Sequence, residues 1–262
     1  MKDIQIAVYY FPNYHADPRN EAVHGRGWTE WELVRSARPR FPGHRQPKVP
    51  LWGWEDEADP RVMARKIRAA SDSGIDAFLF DWYYYDDGPF LERALLEGFH
   101  GAPNCGELAY ALMWANHDWT DIHPLPADGN ARLLHRGAVT PESFERMTDY
   151  MIGTHFRHPS YWKIDGCPYF SIYEVYQLAA GLGGWENAAA ALGRFRSKVR
   201  KAGFPGLHLN AVLWGVQLLP GETAAGCPEE IVRRLRFDSV TSYVWVHHAR
   251  LDRFPRTGCR EV

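Results

Sequence analysis

Short apolar runs alternate with longer amphipathic stretches along nearly the whole chain. Residues 4–11, 75–82, 108–115, 168–174, 207–214 and 237–244 are the apolar runs, and such runs suit parallel strands covered on both faces. The intervening stretches repeat at helical spacing. Met63, Ile67 and Ala70 share one face, as do Phe144, Met147 and Met151, and Leu192, Phe195 and Val199. Asp59-Pro60 and Thr140-Pro141-Glu142 place a capping side chain before a proline, which predicts helix starts. Gly74 and Gly203 predict stops. Shorter helices are expected over residues 89–98 and 228–235.

About six β/α units in alternation imply a parallel sheet with covering helices. A doubly wound sheet would gather its site at one switch point, normally beside a glycine-rich first turn. Here the first turn is Phe11-Pro12-Asn13-Tyr14, which cannot cradle a pyrophosphate. The expected fold class is therefore α/β, of the (β/α)8 TIM-barrel type. It is expected as one domain over residues 1–262, incomplete because about six of eight units are present. Residues 12–59 form a long connection whose tryptophans (Trp28, Trp31, Trp52 and Trp54) argue for order and function.

The barrel is favoured because the strand ends share one chemistry. Tyr9-Tyr10-Phe11, Asp81-Trp82-Tyr83, Met113-Trp114-Ala115-Asn116, Ile172-Tyr173-Glu174, Leu213-Trp214 and Tyr243-Val244-Trp245 each place aromatic or polar residues where a strand would open into a barrel mouth. Aromatic faces cover the apolar faces of a pyranose, and carboxylates bind its hydroxyls or move its protons. One shared saccharide cavity is the expectation.

Composition sharpens this. The chain holds 11 Trp, 13 Tyr and 13 Phe, more indole than a core of this size absorbs without lining a cleft. Net charge is −2 with the signs mixed, so neither nucleic acid nor an anionic membrane is the expected partner. A neutral polyol fits better. Cys105, Cys167, Cys227 and Cys259 are scattered without C-x-x-C spacing, which predicts free thiols in a reducing compartment. The first apolar run is too short and too aromatic for a signal segment, and no stretch is long enough to span a bilayer; a soluble, cytoplasmic protein is expected.

Each candidate has a plainer alternative. Asp81 and Glu174 are the expected catalytic carboxyls, against a backbone-capping aspartate and a salt-bridged glutamate. Trp28, Glu30 and Trp31 form an expected sugar subsite, or else a loop packing its own tryptophans. Tyr10, Trp82, Tyr83 and Tyr173 are expected substrate contacts. Trp114 and Asn116 suit a ring platform and a bidentate hydroxyl partner. Asp118 and Trp119 follow in the same loop, and with His117, Asp121 and His123 they match no familiar metal spacing. No metal or cofactor is therefore expected. Trp214, Tyr243 and Trp245 are expected subsite walls, or aromatic packing around an unfinished barrel.

Several stretches resemble glycoside hydrolase family 99-like proteins, also called WbsX-type and named as glycosyltransferases. They include Tyr9-Tyr10-Phe11-Pro12-Asn13-Tyr14-His15, Gly25-Arg26-Gly27-Trp28-Thr29-Glu30-Trp31 and Gly43-His44-Arg45-Gln46-Pro47. Gly74-Ile75-Asp76-Ala77-Phe78, Trp114-Ala115-Asn116-His117-Asp118-Trp119 and Lys163-Ile164-Asp165-Gly166 follow in the family's order. The resemblance implies a (β/α)8 barrel acting on glycans, family 99 itself being retaining endo-acting α-mannosidases. It also implies catalytic glutamates in a Trp-Asn-Glu-Trp-x-Glu-Gly stretch that this sequence lacks, so a C-terminally truncated form is expected. Hydrolysis of a glycosidic bond is the leading expectation; a WbsX-type transferase and a non-catalytic glycan-binding fragment are the rivals.

Overall fold

The computed structural model describes residues 4–123, 129–213 and 227–244. Its six principal strands are β1 (Ala7–Tyr10), β2 (Ala77–Tyr85), β3 (Ala109–Trp114), β4 (Cys167–Ile172), β5 (His208–Val212) and β6 (Ser239–Thr241). Each pairs in parallel with its neighbour in sequence. The sheet curls as a barrel wall does. The Tyr9 and Thr241 hydroxyls, from the first and last strands, lie 3.1 Å apart across the interior. This is a (β/α)8-type barrel with six of its strands in place, as the alternation of runs predicts.

Among the described residues, seven α-helices surround or cap the sheet: α1 (Pro18–His24), α2 (Trp31–Ser36), α3 (Pro60–Asp72), α4 (Pro141–Thr154), α5 (Val175–Gly181), α6 (Trp185–Lys201) and α7 (Pro228–Leu235). The start signals act as read. Asp59 accepts the Arg61 amide ahead of α3, and Thr140 accepts the Ser143 amide ahead of α4. Met63 and Ile67 of α3, Met147 and Met151 of α4, and Phe195 and Val199 of α6 are buried against the outer face of the sheet.

Two expectations change. The helix expected over residues 89–98 is a short strand, Gly88–Phe90, folded back antiparallel on Tyr83–Tyr85, followed by a π-helical turn, Ala94–Phe99. The Asp86-Asp87-Gly88 turn reverses the chain there, with Gly88 at φ +111°, before any helix can begin. The long 12–59 connection also contains α1 and α2, which are too short for a periodic pattern to reveal.

Candidate active site

Side chains alternate faces along a strand, so register decides which strand-end residues share the interior. Asp81 is level with Met113, Met113 with Ser171, Ser171 with Asn210, and Asn210 with Ser239. One step higher, Tyr83, Ala115, Tyr173 and Val212 cluster with Phe90 and Trp119. The intervening residues, Phe80, Trp82 and Tyr84 of β2 with Leu112 and Trp114 of β3, join the core beneath the helices.

Asp81 is the centre of the inner row. It is 4% exposed; Tyr243 donates to its Oδ2 at 2.9 Å, and its Oδ1 has no hydrogen-bond partner. Burial pushes its carboxyl up to about 7, against the Tyr243 hydroxyl, which favours the charged form. Around it runs a polar ladder. The Tyr9 ring lies 4.8 Å from that of Tyr243, the Asn210 amide donates to Ser171 at 2.8 Å and to Thr241 at 3.0 Å, and Ser239 donates back to Asn210 at 2.9 Å. Tyr173 packs edge-on against Tyr243 at 5.2 Å, and Trp119 against Tyr83 at 5.1 Å. Burial raises the Tyr83 phenol well above its ordinary value, and the charges of Asp81 and Glu30 add to the rise. Glu30 is the residue immediately before α2. His123 Nε2 lies 3.2 Å from its carboxylate, and the Trp28 ring lies 5.6 Å from His123 and is stacked on His24 at 4.2 Å.

The structure therefore brings together Asp81, Tyr83, Trp119, Tyr173 and Tyr243 inside, while Trp28 and Glu30 gather around His123. Other expected site residues go elsewhere. Trp82 donates its indole N–H to buried Glu92 at 2.8 Å and Trp114 donates to the Tyr84 carbonyl at 3.1 Å, both on the helix side. They lie one residue out of phase with the interior. Tyr10 is likewise out of phase and donates to Glu57 on the outer side of β1. Trp31 stacks on Tyr14 at 3.8 Å and donates to the Glu55 carbonyl in that same outer region.

Asn116, expected as a hydroxyl partner, spends both ends of its amide on the backbone of residue 174, each at 2.7 Å. Glu174, expected as an acid, is the N-cap of α5 and accepts the Tyr176 amide at 3.1 Å. Asp118 accepts the Gly137 amide at 2.8 Å, and Asp121 faces Arg132 at 3.6 Å, so these loop acids brace the chain. Trp214 and Trp245 lie outside the described residues. Within the Tyr9-Tyr10-Phe11 strand end the sequence points to Tyr10 where the inner row takes Tyr9, and Ser171, Asn210 and Thr241 are not among its candidates. Their place in the inner row follows from strand register, which the sequence does not show.

A curled sheet of six parallel strands, with an acid and hydrogen-bonding side chains inside its carboxyl end, defines the class: a (β/α)-barrel protein with a polar, aromatic-walled mouth. Within that class the chain belongs to the family described as Glycosyltransferase WbsX, which matches residues 6–244. The WxcX proteins of two Xanthomonas campestris pv. campestris strains are 28% identical over 205 residues, which is 78% of this chain and 28% of theirs. The chain thus spans under a third of the length of these curated relatives. Among solved structures, the GH99 endo-alpha-mannosidase from Bacteroides thetaiotaomicron is similar at TM-score 0.54 and 16% identity, covering 92% of this chain and 61% of that one. A glycoside hydrolase-like protein is similar at TM-score 0.51 and 16% identity, covering 93% and 59%. At such identity these two share the fold. No described helix is long and apolar enough to cross a membrane.

Proposed function

We propose that this chain is a carbohydrate-active barrel that binds a glycan at its mouth and takes part in hydrolysis of a glycosidic bond. One observation carries the reading. Asp81 is buried among aromatic rings on the inner face, held by Tyr243 through one oxygen, with the other oxygen unpartnered and a proton retained to about pH 7. A protonated carboxyl in that setting suits donation to a leaving glycosidic oxygen. Tyr83, Tyr173 and Trp119 would face the sugar ring, and Ser171, Asn210 and Thr241 would meet its hydroxyls. Glu30, whose charge is felt at Tyr83, is the carboxylate that would assist attack at the anomeric carbon. No cofactor enters this scheme.

The family description favours a second reading, glycosyl transfer from an activated donor. One experiment separates the two. The protein is incubated with α-mannosides, other glycosides and bacterial polysaccharides, and in parallel with nucleotide sugars. Hydrolysis predicts new reducing ends, a rate that falls above about pH 7 as Asp81 ionises, and loss of at least about a hundredfold in Asp81→Asn. Consumption of a nucleotide sugar without glycoside cleavage would replace hydrolysis with transfer.

A further inference from the structure

The connection between β1 and α3 builds a second surface that the mouth does not use. A groove of about 480 Å³ opens on the outer side of β1, walled by Tyr14, Trp31, Leu51 and Trp52 and floored by Glu57 and Lys66. Its acids are largely matched. Lys66 bonds Glu57 and Arg65 pairs with Glu55, which leaves exposed Asp56 as the acid beside the groove with no ion-pair partner among the described residues.

Residues 34–50 lead from α2 into this groove and contain Arg35, Arg38, Arg40, Arg45 and Lys48 but no Asp or Glu. Arg35 pairs with Glu32 and lies 4.8 Å over the Trp54 ring. Arg38, Arg40, Arg45 and Lys48 are exposed and have no ion-pair partner among the described residues. The turn that carries them is braced from within. His44 Nδ1 accepts the Arg40 amide at 3.2 Å, Gln46 Oε1 accepts the Lys48 amide at 3.1 Å, and Phe41 stacks on His44 at 4.6 Å. Pro50 and Leu51, at its end, line the groove. A chain of net charge −2 therefore presents four cations without an ion-pair partner among the described residues, on a connection whose end, Pro50 and Leu51, lines an aromatic trough.

We propose that this groove and its basic turn together bind a carboxylate-bearing polysaccharide. Sugar rings lie along the aromatic wall, and uronate-type carboxylates meet Arg38, Arg40, Arg45 and Lys48. This rests on the reading of the mouth as a glycan site and narrows its substrate to an acidic chain. Guanidinium forks match carboxylates two bonds at a time, and exposed aromatic faces accept the apolar faces of a pyranose. Each exposed ion contact is weak and salt-screened, so binding needs several at once. The four cations fall between residues 38 and 48, on the short connection that ends in the trough. A nucleic acid or an anionic membrane would call for a longer basic face.

The test is calorimetry of the protein with an oligogalacturonate and with a neutral malto-oligosaccharide and a neutral manno-oligosaccharide of equal length, at low and high salt, with single-stranded RNA and anionic vesicles as further arms. The expected result is at least tenfold tighter binding of the oligogalacturonate at low salt, with the preference lost near 0.5 M NaCl, about where screening shortens to a few ångströms. Replacing Arg38, Arg40, Arg45 and Lys48 by alanine together should abolish the preference and leave the melting temperature and any affinity for neutral glycan unchanged. Equal binding of charged and neutral chains, a preference that survives the fourfold variant, or tighter binding of RNA or vesicles would each overturn this inference. Neutral-glycan binding without an acidic preference would leave the reading of the mouth standing. Binding of no glycan at all would remove both.

Discussion

Asp81 is where burial and chemistry conflict most sharply. Its carboxyl ordinarily titrates near 3.8, and the fold raises it to about 7. The folded chain therefore keeps a proton that the unfolded chain releases. The stabilisation this brings is full below about pH 4 and is lost as pH rises through 7. Asp81→Asn should remove that dependence. Melting temperatures of the two proteins should differ more at pH 8 than at pH 5, with the variant the more stable at pH 8. Tyr243 pulls the other way, since its hydroxyl donates to the carboxylate form. Tyr243→Phe should raise the Asp81 carboxyl further and move the alkaline limb of the activity profile to higher pH. An unmoved limb would mean that another group sets it. The identity of this aspartate was legible from a carboxylate closing an apolar run. Its partner was not, because residues 81 and 243 meet only when the sheet curls.

At the level of the strand, parity separates support from site. Trp82 and Tyr83 are neighbours in sequence, yet one anchors the helix layer and the other packs in the inner cluster with Phe90 and Trp119. Trp82→Ala should cost about 3–5 kcal/mol of stability, read by denaturant unfolding. Tyr83→Ala should weaken glycan binding by more than tenfold, beyond any loss of stability. Reversal of the two effects would mean the faces are misassigned. The π-helical turn makes a separate demand. A Cβ at Gly98 would stand 2.1 Å from the Glu57 carbonyl oxygen, so Gly98→Ala should force the turn off residues 55–58 and destabilise by about 1–3 kcal/mol in the same assay. Strands and the longer helices were readable because apolar spacing and caps are local signals. The Gly88–Phe90 strand and α5 were hidden, since a pairing partner and a buried cap at Glu174 define them.

Across the molecule, each outer strand of the curled sheet has a single partner strand among the described residues. Among the described residues, β1 pairs only with β2 and β6 only with β5. Ile4 and Ile6 beside β1, with Val240 and Val244 at β6, are exposed large apolar residues near these edges. Edges without a second partner among the described residues, flanked by apolar side chains, invite further strand pairing. Ile6→Lys combined with Val240→Lys should reduce concentration-dependent association in sedimentation; unchanged association would place the contact elsewhere. The order of elements, the parallel sheet and the aromatic, acidic character of the strand ends follow from the letters alone, because period, caps and composition act over a few residues. Which of those strand-end residues meet, and which spend themselves on backbone or helix contacts, depends on register between segments far apart in the chain. Asn116 illustrates the difference. Its amide looks like a sugar ligand until the fold brings the backbone of residue 174 within 2.7 Å and occupies both of its ends.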